Sequence, residues 1–276
     1  MVTVDQDKCT HCNLCLVRFS GYCMSDTGRG LAIDYTVCNQ CQKCISLCPA
    51  QALLMNGISP EKINGPIPIL PEDMKELLNR RRSIKQFRKA HVSKDVLLDI
   101  ADAAAYAPNQ NKNIVIRIID DPELLELIGR RANRFVKRLY TLLFGFRPLA
   151  ALLELASRQF RVIHRKMAYG LDVRRATMHP NTAAVYILTG NSRIPVTEAS
   201  AQYLMATMAI YSLTLGVGSC LMDSLKLTLN HDGRLKRRLH IRRGTRVLGV
   251  LTVGYSGENI LNKPIGYRPD IIWNEG

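Results

Sequence analysis

The chain has 276 residues, a 47% hydrophobic composition and a formal net charge of +15. Such a length holds one large domain with a small one attached, and the apolar fraction excludes a disordered chain. The opening "MVTVDQDKCTHC" lacks the basic stretch and apolar run of a secretory signal, so the clustered cysteines are expected to bind metal in the cytoplasm rather than to form disulfides, and Cys220, apart from them, to be a buried small hydrophobe.

Eight of the nine cysteines fall within the first 48 residues. Cys38, Cys41, Cys44 and Cys48 read C-x2-C-x2-C-x3-C, followed by Pro49. Soft thiolates suit iron–sulfur or zinc. A third cysteine at the same spacing, with Pro after the fourth, disfavours a zinc ribbon, which uses pairs of C-x2-C. Cys9, Cys12 and Cys15 repeat the first part of the run 29 residues earlier, and Cys23 follows after a gap of seven residues. The pattern resembles the two-cluster bacterial ferredoxins, in which the fourth cysteine of each run ligates the other cluster. That resemblance implies one [4Fe–4S] cluster on Cys9, Cys12, Cys15 and Cys48 and a second on Cys38, Cys41, Cys44 and Cys23. A one-electron relay module is expected over residues 1–57, in which four basic residues balance four acidic ones.

Residues 58–71 are rich in Pro and Gly and read as a linker. A second domain, residues 72–276, follows. A helix is expected from Glu72 through the run Arg80–Arg82, with acidic residues in its first turn. Another begins at the N-cap Ser93 and stops at Pro108. "IVIRIID" (114–120), "TAAVYILTG" (182–190) and "RVLGVLTVGY" (246–255) read as strands. Residues 121–175 read as basic helix interrupted at Gly145–Pro148, its later part shaping or capping a pocket or lying on a membrane surface. Ala201–Met222 carries no charge over twenty-two residues, yet its Gln, Thr, Ser and Gly content favours a buried core helix ending near Gly216 over a membrane span. Helices and strands mix without strict alternation, which indicates an α+β class. The excess charge is concentrated in "RRANRFVKR" (130–138) and "RLKRRLHIRRGTR" (234–246), which favour an anionic partner: nucleic acid, lipid, a phosphorylated cofactor or an acidic electron carrier.

The octapeptide "RRRSIKQF" (80–87) resembles the signature that ends the first helix of the nitroreductase family. In that family these residues hold the phosphate and ribityl chain of FMN, which implies such roles for Arg81, Arg82, Ser83 and Lys85. Guanidinium and hydroxyl groups suit a phosphate. "AAAYAPNQNKN" (103–113) resembles the family's flavin loop, which implicates Pro108, Asn109 and Asn111. "LGVGSC" (215–220) resembles its glycine turn, which implicates Gly216 and Gly218. "KPIGYRPDIIW" (263–273) resembles its C-terminal arm, in which Arg268, or else Lys263, would meet the phosphate. Together the two halves resemble ferredoxin–nitroreductase fusions. The resemblance implies a nitroreductase-like FMN fold working as an intertwined homodimer. It also implies an electron path from a low-potential donor, such as an acidic ferredoxin or flavodoxin, through the clusters and FMN to an organic acceptor: a nitroaromatic, a quinone or an activated alkene. No catalytic acid is assigned; Tyr169, Tyr186 and His179 are the candidates. Two alternatives stand beside this reading. In one, NAD(P)H reduces FMN directly and the clusters are secondary. In the other, the chain is a non-enzymatic nucleic-acid binder, which the scarcity of aromatics among the basic tracts disfavours.

Overall fold

The computed structural model describes residues 1–17, 23–28, 30–108, 113–172, 177–194, 196–263, 265–266 and 269–273. Two compact units divide it, one over Met1–Pro68 and one beginning at Ile69.

The first unit is built twice from the same plan. Strand β1 (Val2–Val4) leads through a cysteine loop to helix α1 (Leu14–Val17) and strand β2 (Met24–Asp26). Strand β3 (Leu31–Ile33) leads through a second cysteine loop to α2 (Lys43–Leu47) and β4 (Leu53–Met55). β1 pairs antiparallel with β4, and β2 with β3, so the outer strands of the two halves close on each other. Backbone strain repeats with the sequence: His11 and Asn13 in one loop, and Gln40 and Gln42 in the other, all adopt positive φ. Each pair sits at the same offset from its cysteines. Left-handed backbone at non-glycine residues is uncommon and persists only where surroundings enforce it. The core is small, with Val2, Cys15, Leu31, Cys44, Ile45 and Leu53 among its buried members.

The second unit begins with α3 (Pro71–Arg80), which has Pro at its first turn together with Glu72 and Asp73. It ends two residues earlier than expected, because Arg81 turns to extended backbone. Helix α4 (Lys94–Asp102) is capped by Ser93, whose Oγ accepts from the Val96 N–H at 3.4 Å. A 3-10 turn, Ala103–Tyr106, carries it to the extended residue before Pro108. Strand β5 (Val115–Ile119) follows, and then α5 (Pro122–Phe144), whose N-cap Asp121 accepts from Leu124 N at 2.8 Å. The expected interruption at Gly145–Pro148 separates α5 from α6 (Arg147–Ala156), and α7 (Arg158–Asp172) completes the arm. Next come β6 (Ala184–Gly190), α8 (Val196–Thr214), β7 (Gly218–Leu221), α9 (Asp223–His231), α10 (Gly233–Arg238) and β8 (Arg246–Gly254).

The four strands form an antiparallel sheet in the order β5-β6-β8-β7. Both faces are covered. Tyr186 and Leu188 of β6 pack with α4 and α8, while Val185 and Ile187 pack with α5, α9 and α10. That explains why β6 is buried along its whole length. In β8 a register shift opposite Leu188/Thr189 skips one residue, so Val247 and Val250 lie in one core and Leu248 and Leu251 in the other. The charge-free segment resolves into α8, a left-handed turn at Gly216 (φ 70°) and β7. No helix among the described residues is long and apolar enough to cross a membrane.

Tyr186, considered above as an acid, is fully buried and donates from its hydroxyl to the Leu97 carbonyl at 2.8 Å. Burial raises its pKa far above the ordinary phenol value. It acts here as a tie between β6 and α4. Tyr186→Phe should therefore cost about 1 kcal/mol in a urea unfolding curve and leave flavin content unchanged.

Candidate functional site

The segment after α3 is stitched into the sheet. Ser83 forms a parallel bridge with Ser219 of β7, and the Ile84 N–H donates to the Ser219 carbonyl at 3.0 Å. The Glu258 carboxylate accepts from the N–H groups of Lys85 (2.6 Å) and Gln86 (2.9 Å). Phe87 bridges Ser256, and the Arg88 N–H donates to Tyr255 O at 2.8 Å. Residues 83–88 thus run along the end of β8 and across the start of β7. This is why α3 must stop where it does.

Between this segment, the end of α8 and residues 256–263 lies a cavity of about 420 Å³, within the usual range for small-molecule sites. Arg81 and Arg82 line one side, and Gly216, Gly218 and Ser219 line another. Glu258 and Lys263 belong to the same lining. The three adjacent arginines do three different things. Arg80 pairs with Glu76 at 2.8 Å. Arg82 donates to the carbonyls of Asn79, at 2.6 Å, and of Arg81, so it caps the C-terminus of α3. Arg81 makes no ion pair or side-chain hydrogen bond among the described residues and is the guanidinium left for a ligand. Lys263 is held by Glu76, whose carboxyl the hydrogen bonds from Lys263 and then Arg80 keep below its usual range.

Gly218 is required by contact, not by conformation. A Cβ there would lie 2.7 Å from Ile84 Cγ1. Ser83 and Lys85 are not on the cavity lining. They lie beside Cys220, whose thiol is raised by burial and partly restored by the charge of Lys85 and a hydrogen bond from Ser83. Pro108 is exposed and also off the lining. Asn109, Asn111 and Arg268 lie outside the described residues. Neither Tyr169, which is exposed, nor His179, 6.4 Å from the Phe87 ring, lines the cavity. Sequence reasoning missed Glu76, Ser219 and Glu258. The only local signal for Glu258 was its place just after the last strand.

In the first unit the cysteines gather in two sets. Cys9, Cys12, Cys15 and Cys48 line one small hollow. Burial raises the Cys15 thiol, and the charges of Cys48, Cys12 and Cys9 raise it further. Burial likewise pushes Cys44 up to about 11, with additions from Cys41, Cys38 and Cys23. Cys23 is raised by burial and then by the charge and hydrogen bond of its neighbour Cys38. The Ala52 N–H donates to Cys48 Sγ at 3.3 Å. Among the described residues, no group of three or more His, Cys, Asp or Glu is arranged to hold a metal ion.

The sequence profile of the Nitroreductase family matches residues 78–255. No curated protein matches the chain. Among solved structures, a nitroreductase with bound FMN from Bacteroides fragilis is 16% identical, with a TM-score of 0.54 over 73% of this chain and 99% of that one. A nitroreductase with bound FMN from Desulfitobacterium hafniense is 17% identical, with a TM-score of 0.53 over 75% of this chain and 100% of that one. An iodotyrosine deiodinase bound to FMN and 3-iodo-L-tyrosine is 18% identical, with a TM-score of 0.51 over 73% and 97%. These likenesses speak to the fold, and the family profile, spanning more than half of the chain, carries the assignment: this protein belongs to the nitroreductase family of FMN-dependent oxidoreductases.

Proposed function

We propose that the protein is an iron–sulfur flavoprotein. Electrons from a low-potential donor pass through two [4Fe–4S] clusters to FMN and on to a small organic acceptor: a nitroaromatic, a quinone or an activated alkene. The observation that carries this reading is the sorting of eight cysteines into two sets of four, each drawing one member from the other half of the repeat. A single tetrahedral ion needs its sulfurs within one short coordination sphere. A cubane gives each thiolate its own iron and tolerates wider spacing, which suits cysteines that gather without closing on a point. The first unit also needs such a staple. Its strands are three residues long and its core is small.

The cavity residues fit a flavin mononucleotide. Arg81 presents an unpaired guanidinium to a phosphate, with Lys263 on the same lining. Gly216 and Gly218 keep one wall free of side chains, and Ile84, Ala209, Leu213 and Val217 supply apolar surface. FMN supplies two-electron redox chemistry when bound, and the chain supplies position, charge and exclusion of water.

Protein purified without oxygen should contain about eight iron, eight sulfide and one FMN per chain. Iron near eight with no flavin, even after reconstitution, would leave the flavin half of the proposal without support. Flavin without iron would remove the relay. Arg81→Ala should weaken FMN retention at least tenfold, on the order of 1.5–3 kcal/mol for a charge-assisted bond, with iron content unchanged. Flavin fluorescence released on desalting measures this.

A homodimer belongs to the same proposal. Ile265, Ile271, Ile272 and Trp273, near the C-terminus, are all strongly exposed in the single chain. Apolar side chains in such a row are expected to be covered by a second copy. Sedimentation should give twice the chain mass, and a variant ending at Gly257 should sediment as one chain. A cytoplasmic location fits free thiols and is part of the proposal.

A further inference from the structure

The two basic tracts are far apart in sequence, yet the fold brings them to one place. Helix α5 packs along α9, and α10 follows directly. Between them lies a cleft of about 510 Å³ lined by Arg131, Arg134, Arg138, Arg234 and Arg237. Its lining holds one carboxylate, Asp232. That group is already engaged: it accepts from the N–H groups of Arg234 (3.1 Å) and Leu235 (2.9 Å) and pairs with Arg131 at 3.5 Å.

Arg134, Arg138, Arg234 and Arg237 have no carboxylate within ion-pair distance among the described residues. Two basic residues of the same tracts that are off this lining are engaged within the fold. Arg130 pairs with Glu126 at 3.1 Å, and Lys236 donates to the Thr245 carbonyl at 3.2 Å. Four guanidiniums without a carboxylate partner thus line one hollow. The Nε of Arg131 is buried and has no acceptor among the described residues. A merely solvated face has no need of a concave wall or of a buried donor without a partner.

We propose that this cleft binds a di- or triphosphate group. A guanidinium presents a planar fork that matches two oxygens of a phosphate, and several forks around one hollow call for several linked phosphates. The volume suits a ligand of that size. The exposed His231 ring, stacked on Phe135 at 5.5 Å, offers a flat surface beside the guanidiniums. A nucleoside di- or triphosphate would use it, and an inorganic polyphosphate would not. The proposal does not depend on the flavin reading, since the cleft and the cavity share no residue.

The test is calorimetric titration of the full chain with inorganic tripolyphosphate, ATP, ADP and sulfate at matched ionic strength. The expected result is one tripolyphosphate or ATP per chain, at least a hundredfold tighter than sulfate, weakening steeply with salt. ATP tighter than tripolyphosphate would assign the nucleoside source, and equal affinities the inorganic one. Arg134→Glu/Arg237→Glu should weaken binding at least tenfold with circular dichroism and flavin content unchanged. Should that variant fail to fold, Arg134→Gln/Arg237→Gln reads the same loss. Tripolyphosphate no tighter than sulfate, several molecules bound per chain, or full affinity in a folded variant would each overturn the proposal. Tight binding of duplex DNA or an acidic protein without tripolyphosphate binding would also overturn it and give the cleft to a macromolecule.

Discussion

Replacing Cys9 and Cys48 together is expected to remove no more iron than replacing either alone, whereas replacing Cys9 and Cys23 together should remove nearly all of it. The two thiols of the first pair share one hollow, although they belong to different halves of the repeat. Cys23 lies instead with Cys38, Cys41 and Cys44. Each single Cys→Ser variant should lose about four of about eight irons. The double variant within one set then has nothing further to lose, and the double variant across sets loses both clusters. Iron and sulfide counts on anaerobically purified protein decide it, with the visible spectrum reporting the surviving cluster. On the proposed reading each cluster would also staple a unit with little core, so the variant across sets should unfold residues 1–57 while leaving flavin in place. The opposite pattern, additive loss for Cys9 with Cys48 and none for Cys9 with Cys23, would refute the crosswise sets.

Gly218→Val is expected to empty the cavity proposed for FMN. The new Cβ alone would stand 2.7 Å from Ile84 Cγ1 and 3.1 Å from Ile84 Cβ. Ile84 cannot simply rotate away. It is buried, and its N–H is tied to the Ser219 carbonyl at 3.0 Å. The backbone of residues 81–85 must therefore move, carrying Arg81 and Arg82 from the cavity edge. Overpacking of this kind costs about 1–3 kcal/mol. A urea midpoint shifted by that amount, with flavin lost on desalting, is the expected pair of results. Gly216→Ala separates backbone strain from overpacking. Nothing lies within 4 Å of a Cβ there, but φ is 70°, so it should cost only about 1 kcal/mol of backbone strain and leave the backbone of residues 81–85 in place. Stoichiometric flavin in Gly218→Val would show that the cavity is not held in place by this contact.

Much of the second unit's framework was legible. β-branched runs announced β5, β6 and β8, and the cap Ser93 sits where α4 begins. Three elements were not. β7 is four residues, "GSCL", and is a strand only because β8 lies beside it. Helices α9 and α10 are short, and they show only a modest apolar stripe, Leu225, Leu229 and Leu235, which the basic tract beginning in α10 obscures. α3 was read two residues too long, because the pull of β7 on Ser83 is not encoded within the helix.

The sequence alone determined what is local: the cysteine spacing, the Ser93 cap, the β-branched runs of the strands and the composition of the "RRRS" tract. These follow from backbone geometry and from chemistry within a few residues. The tertiary structure decided what depends on chain segments meeting. It separated Arg80, Arg81 and Arg82 into an ion pair, an open guanidinium and a helix cap, and it brought Glu76 to Lys263. It placed Cys48 beside Cys9 and folded two distant basic tracts around one cleft. Neighbours of this kind are chosen by the packing of a sheet and its helices, and no periodicity along the chain records which residues that packing will bring together.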